Sequence, residues 1–228
     1  MTAAAGMIVL VSTPIGNLGD MTYRGVETLK NVAAILAEDT RHTRKLLHHY
    51  GIKNELIAFH DHNEQAMTPK ILERVRRGDS LALVSDAGTP GISDPGFYLV
   101  RAAIEAGIRV TVVPGANAVL SALVLSGFPS HAFVFEGFLP RKAGELERKL
   151  RGFESETRTA IFFVSPYQLV KVLQTIERVM PDRVVAVARE ISKLHEETIR
   201  GVAAAVLEHF GTQRIRGEFV LLVKGAGK

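Results

Sequence analysis

The sequence predicts an α/β protein built from two α/β domains. Short apolar runs alternate with amphipathic stretches through the first half, and glycine falls where three of the predicted helices should stop. After Val113 the texture shifts to longer strands with a different spacing. A strand over 7–11 opens the chain, followed by helix 22–30, strand 32–37, helix 40–50 and a short strand over 56–59. Helix 63–77, strand 81–84, helix 95–106 and strand 109–113 continue the alternation. Continuous apolar runs such as Leu81-Ala82-Leu83-Val84 suit strands buried on both faces, so a largely parallel sheet is expected. Gly51, Gly78 and Gly107 sit one position beyond the predicted helix ends, where a left-handed residue closes the last turn.

The second half begins with an apolar helix over 118–126 and a break over 127–130. Strands over 132–136, 160–164, 184–188 and 219–223 follow, separated by helices over 143–151, 167–179 and 202–210, which predicts a second α/β domain with a mixed sheet. The domains are expected at 1–116 and 117–228.

Composition narrows the chemistry. The 228 residues are 46% hydrophobic and 23% charged, ordinary values for a globular protein. No window is long and apolar enough for a membrane helix. Met1 to Gly6 lacks the basic and apolar segments of a signal peptide and reads as a loose terminus, so a cytoplasmic protein is expected. With no cysteine, thiolate nucleophiles, disulfides and Cys-based zinc sites are excluded. A net charge of +4 permits a polyanionic partner without requiring one.

Two glycine- and proline-rich turns stand out, 11–20 and 85–96. Each follows a predicted strand, and ligands in open α/β sheets bind beyond the carboxyl ends of strands. The first has Gly16 and Gly19 without the full GxGxxG pattern, and Pro14 stands where a dinucleotide turn needs glycine. A generic dinucleotide site and a plain strand-to-helix turn both remain open there. The second packs three glycines, two prolines, two aspartates and two hydroxyl residues into the eleven positions from Asp86 to Gly96. Asp94-Pro95 reads as a helix N-cap followed by proline in the first turn.

Taken together, Ser12-Thr13-Pro14-Ile15-Gly16-Asn17-Leu18-Gly19-Asp20, Ala37-Glu38-Asp39-Thr40-Arg41, Phe59-His60-Asp61-His62-Asn63-Glu64, Ser85 to Gly96 and Val113-Pro114-Gly115-Ala116-Asn117 closely resemble the tetrapyrrole methylase superfamily. Within it they resemble the branch that methylates small-subunit ribosomal RNA. The resemblance runs in order from Val9 to about Pro140, with weaker echoes at 162–167, 188–197 and 218–223. It implies a class III methyltransferase that uses S-adenosylmethionine to methylate the ribose 2′-oxygen of a cytidine in 16S ribosomal RNA. It also implies a donor held in a cleft between the two domains, a homodimer and the small ribosomal subunit or its RNA as partner. Carried over by motif, Thr13, Pro14, Ile15 and Asp86 line the donor site, Thr89, Gly91 and Ile92 meet its methionine end, and Ala116 and Asn117 its adenosine side. Val164, Ser165, Tyr167 and Ala188 are the corresponding second-domain residues. Such relatives usually continue past the last strand, so the end at Lys228 suggests a shortened chain or a natural lack of the tail.

Methyl transfer from a sulfonium is an in-line displacement that needs alignment and exclusion of water, and a ribose hydroxyl needs help losing its proton. Asp86, Glu38 and Asp39 are the catalytic candidates, with His60 and His62 beside them. Arg41, Arg44, Lys45 and His48 fall on one face of helix 40–50, an expected phosphate-tracking stripe, with Leu46, Leu47 and Tyr50 on another. A second basic run, Arg141, Lys142, Arg148, Lys149 and Arg151, is either RNA-binding or a solvated face. His60-Asp61-His62 lacks a third strong ligand, so no metal is expected. Glu190, Glu196 and Glu197 near Lys193 and His195 read as surface pairs. The rival readings are a tetrapyrrole C-methyltransferase of the same fold and a non-catalytic RNA-binding module.

Overall fold

A computed structural model describes residues 6–211 and 215–227. The stretch 1–5, read above as part of a loose terminus, lies outside the described residues, as does Lys228. The chain divides into two compact units, Met1–Asn117 and Ala118–Lys228.

In the first unit β1 (Met7–Val11), α1 (Tyr23–Asn31), β2 (Ala34–Ala37), α2 (Thr40–His49) and β3 (Leu56–Ala58) are followed by α3 (Glu64–Arg76), β4 (Leu81–Val84), α4 (Phe97–Glu105) and β5 (Arg109–Val113). All five strands are parallel in the order β3-β2-β4-β1-β5. The chain moves one way along the sheet from β1 to β2 to β3 and the other way from β3 to β4 to β5. Right-handed crossovers therefore put the helices on opposite faces. Leu29 and Leu47 of α1 and α2 pack with Val9, Val11, Ile35 and Val84. Ile71, Val75 and Leu99 of α3 and α4 pack with Ile8, Leu36, Leu81 and Leu83. Strands β2 and β4 are buried at every position, which is why their sequences are continuous apolar runs. Gly51, Gly78 and Gly107 adopt φ of +63°, +107° and +68°, closing α2, α3 and α4 as expected.

Asp94 does not cap α4, contrary to the sequence reading. The helix starts at Phe97, and Gly96, at φ +130°, occupies the cap. The Gly96 N–H is taken instead by Glu64 Oε2 at 3.0 Å, a carboxylate from the first turn of α3. Leu83 also leaves no room at Gly96, where a Cβ would come within 2.7 Å of its Cδ2.

The second unit contains α5 (Ala118–Ser126), β6 (Phe133–Phe138), α6 (Ala143–Arg151), β7 (Thr159–Val164) and α7 (Leu169–Val179). It continues with β8 (Val184–Arg189), β9 (Glu197–Val202), α8 (Ala203–Gly211) and β10 (Phe219–Val223). The sheet order is β6-β7-β10-β8-β9, with β6 and β7 parallel and the other pairs antiparallel, hence mixed as predicted. Helices α6, α7 and α8 cover one face around Phe162, Val187 and Leu221, and α5 covers the other around Ile161, Ala186 and Leu222.

Strand β9 went unread in the sequence. It is an edge strand whose residues are half-buried or exposed, and it is held by backbone pairing to β8 rather than by an apolar face. Its Arg200 donates from Nε to Leu125 O and Ser126 O, each at 3.1 Å, filling carbonyls at the end of α5. Among the described residues no helix is long and apolar enough to cross a membrane.

Phe162 is fully buried and meets Phe153 edge-on at 5.2 Å between ring centroids. Phe162→Ala is expected to lower stability by about 3–5 kcal/mol, measured by urea denaturation.

Candidate active site

The carboxyl ends of β1, β4 and β5 are stitched together by their own backbone. Thr13 N–H donates to Gly88 O at 2.8 Å and Gly88 N–H returns a bond to Thr13 O at 3.0 Å, while Ser12 N–H reaches Val113 O at 3.2 Å. The side chains continue the seam. Thr13 Oγ1 donates to Ser85 O at 3.1 Å, the Ser12 and Thr89 hydroxyls share a bond of 3.1 Å, and Asn117 Nδ2 donates to Thr89 Oγ1 at 3.3 Å. Gly88 and Gly91, at φ +80° and +82°, supply the left-handed turns that a side chain would strain, and Ser93 at φ +61° adds a third. A Cβ at Gly91 would meet nothing within 4 Å, and Ile92 beside it is 45% exposed, so this side of the turn has room for a ligand.

Beside the seam the strand ends gather carboxylates. Asp39 N–H donates to Asp86 Oδ1 at 3.1 Å, and Asp86 N–H points at Glu38 Oε2 at 3.5 Å. Burial raises the Glu38 pKa above the usual carboxylate range, and Asp86, Asp61 and Asp39 add to the effect while the Asp86 N–H opposes it. Asp94 is pushed up to about 6, first by burial and then by Glu38, Asp86 and Asp61, against a hydrogen bond with the Ser85 hydroxyl. Asp39 goes the other way. Its carboxylate binds the Arg41 guanidinium at 2.7 and 3.1 Å and caps α2 by accepting from Arg41 N–H at 2.8 Å, which holds it well below the usual range. Of the three catalytic candidates, Asp39 is thus committed to structure, Asp86 holds one backbone donor, and Glu38 has the raised proton affinity of a base.

A cavity of about 250 Å³ opens between the turn after β1, helix α2 and the end of β4. Thr13, Pro14, Gly16, Leu18, His42, Thr43, Lys45, Leu46, Ser85 and Asp86 line it. Its outer wall is a short 3-10 turn over Leu18–Asp20, capped by Asn17, whose Oδ1 accepts from Gly19 N–H at 3.0 Å. The Tyr50 hydroxyl at the end of α2 donates to Leu18 O and ties that wall down.

The expected basic stripe is largely present. Arg44, Lys45 and His48 are exposed with no side-chain partner among the described residues, but Arg41 is neutralised by Asp39. The second basic run is paired at three of its five residues, while Arg141 and Arg148 are exposed. Lys142 pairs with Glu145, Lys149 with Glu136, and Arg151 with Glu147 and Glu154. Glu190 and Glu197 form pairs, with Lys193 and with Arg189 and His209.

In the second unit the four donor-site candidates reach one end of the sheet, since Val164 and Ala188 flank β10 opposite Phe219 and Val220. Val164 and Ala188 are sealed in the core, whereas Tyr167 is 96% exposed. His60 and His62 meet edge-on at 5.9 Å, and His60 Nδ1 is buried without a partner. Among the described residues no group of three His, Asp or Glu side chains could hold a metal ion.

Sequence reasoning missed His42 and Leu18 as cavity walls and Asp94 as a half-buried titrating group. His42, Lys45 and Leu46 share a helix face by their i, i+3, i+4 spacing, a signal hidden by grouping Leu46 with the core. Nothing local marks Asp94, because its burial comes from segments far away in sequence.

Comparison with known proteins shows the family. Residues 7–207 match the family described as Tetrapyrrole (Corrin/Porphyrin) Methylases. The chain is 46% identical over 222 residues to ribosomal RNA small subunit methyltransferase I of Synechocystis sp., covering 97% of this chain and 80% of that protein. It is 44% identical over 220 residues to the protein of the same name from Thermotoga maritima, covering 96% and 99%. Among solved structures, uroporphyrin-III C-methyl transferase from Thermus thermophilus complexed with S-adenosyl homocysteine is similar with a TM-score of 0.64 at 19% identity, covering 96% and 97%. Diphthine synthase is similar with a TM-score of 0.70 at 10% identity, covering 96% and 89%. These structures share the fold. The chain belongs to the tetrapyrrole methylase family, whose members are methyltransferases, and its donor is S-adenosylmethionine.

The seam residues fit that donor. Space beside Gly91 and Ile92, hydroxyl and amide groups at Ser12, Thr89 and Asn117, and nearby carboxylates suit a ligand with ribose hydroxyls and a cationic sulfonium.

Asp94 binds its proton more tightly in the folded chain than at its ordinary value of 3.8. That favours folding fully below about pH 4 and is lost as pH rises through about 6. Asp94→Asn is expected to raise the thermal midpoint at pH 7 relative to wild type, with the gap closing by pH 4 in circular dichroism melts.

Proposed function

We propose that this enzyme transfers the methyl group of S-adenosylmethionine to the ribose 2′-oxygen of a cytidine in 16S ribosomal RNA. The observation that carries the reading is identity of 44–46% across nearly the whole chain with proteins named ribosomal RNA small subunit methyltransferase I. The uroporphyrin-III enzyme, by contrast, is matched at only 19%. That difference favours RNA over a tetrapyrrole acceptor, and the carboxylate at Glu38 favours an enzyme over a non-catalytic module.

S-adenosylmethionine, when bound, supplies an activated methyl group on sulfur. Thr89, Gly91, Ile92, Ala116 and Asn117, with Ile15 beside them, are the residues that would hold it, while Thr13, Pro14 and Asp86 face the cavity beside α2. Glu38 receives the proton of the ribose hydroxyl, because it combines a raised affinity for protons with a half-exposed position. The stitched loops keep donor and acceptor aligned without reorganisation. Arg44, Lys45 and His48 on α2 meet the phosphates, which they are free to do because no acidic partner among the described residues holds them. The same reading makes the enzyme a cytoplasmic homodimer, a mass that sedimentation equilibrium checks.

Purified protein, labelled donor and small ribosomal subunits are expected to give label on a ribose 2′-oxygen after nuclease mapping, and label on a base would refute the reading. Glu38→Gln is expected to lower kcat by about 10²–10⁴ with donor affinity unchanged by calorimetry. Replacing Arg44 and Lys45 by Ala should flatten the slope of log affinity against log salt by about 0.7 for each phosphate of single-stranded RNA that is no longer neutralised.

A further inference from the structure

Resting on that reading, we propose that the cavity beside α2 receives the base of the target nucleotide and that Asp86 selects cytosine by accepting from its exocyclic amine.

Size is the first argument. At about 250 Å³ the cavity falls below the ~300–1,000 Å³ typical of sites for drug-sized ligands. A flat ring with part of its sugar suits this space, whereas a macrocycle or a dinucleotide does not. The walls supply the second argument. Pro14, Leu18 and Leu46 present apolar surface for the two faces of a ring, the usual partner of a base drawn out of its stack.

The polar groups decide which base. Thr13 Oγ1 spends its proton on Ser85 O, and the Ser85 hydroxyl proton is taken by the Asp94 carboxylate or by Ala87 O, 3.3 Å away. Among the described residues Asp86 is the only carboxylate in the lining, and Oδ1 alone holds a backbone donor, leaving Oδ2 open. A carboxylate oxygen accepts hydrogen bonds and donates none while ionised, so it pairs with the amine of cytosine and repels the carbonyl that uracil carries at the same position. At the other end of the lining His42 and Lys45 supply donors suited to the flanking phosphate.

The position agrees with the chemistry as well. The Asp86 N–H lies 3.5 Å from Glu38 Oε2, so a nucleotide whose base rests on Asp86 carries its ribose close to the proposed base. The cavity is also formed in advance, because Asn17 and Tyr50 both hold the Leu18 wall in place.

The test compares small subunits carrying cytidine or uridine at the mapped nucleotide. Wild-type enzyme is expected to prefer cytidine, and Asp86→Asn, whose amide can donate to a carbonyl, to reduce the cytidine-to-uridine ratio of kcat/KM about tenfold or more. Leu18→Trp provides a second route, since Leu18 is 41% exposed on a surface turn and the larger ring fills the cavity without entering the core. It is expected to lose most RNA methylation while S-adenosylmethionine affinity by calorimetry stays within about twofold. If the wild-type enzyme labels no small-subunit RNA, the functional reading falls and the pocket with it. If the wild type labels a cytidine but Asp86→Asn keeps the wild-type ratio, or Leu18→Trp methylates at the wild-type rate, the pocket assignment alone is overturned.

Discussion

The reciprocal bond between Thr13 and Gly88 is the constraint on which the site depends. Two parallel strands cannot be joined by a hairpin, so their outgoing loops would normally diverge, one to each face of the sheet. Here the loops pair for one antiparallel step before they separate, and every functional segment of the first unit is referred to that step. Thr89 and Asn117 hang from it on one side, and Pro14 and Asp86 line the cavity on the other. Gly88 lets the pairing form, because a residue at φ +80° with Ile15 and Ala116 close by is poorly served by a side chain.

The site balances two fields of opposite sign. Carboxylates collect at the ends of β2 and β4, while exposed cations run along α2 immediately after β2. Asp39 and Arg41 form the boundary between them. Their pairing neutralises one charge of each kind, fixes the first turn of α2 and prevents Asp39 from competing with Glu38 for protons. An exposed ion pair of this kind contributes little to stability, so its value here is the division of roles among neighbouring carboxylates.

Much of the architecture was legible in the sequence, and the reasons are local. Leu81 to Val84 reads as a buried strand because both its faces are covered, and Gly51, Gly78 and Gly107 mark helix ends because only glycine takes that φ easily. Strand β9 was not legible because an edge strand held by backbone pairing has no apolar period to show. The cap of α4 was misread for a related reason: Asp94-Pro95 carries the right local chemistry, but Glu64 arrives from another helix and takes the N–H. The loops that make the site were visible through their glycines and prolines. The ranking of Glu38, Asp39 and Asp86 was not, since it follows from burial and pairing across strands that adjacency in sequence does not record.

The bond from the Tyr50 hydroxyl to Leu18 couples two surfaces that would otherwise respond separately. Helix α2 carries the exposed cations and also forms a cavity wall, with Lys45 belonging to both, and Tyr50 fastens the opposite wall to the same rod. The placing of the cations and the spacing of the cavity walls are therefore set together by a single helix ten residues long.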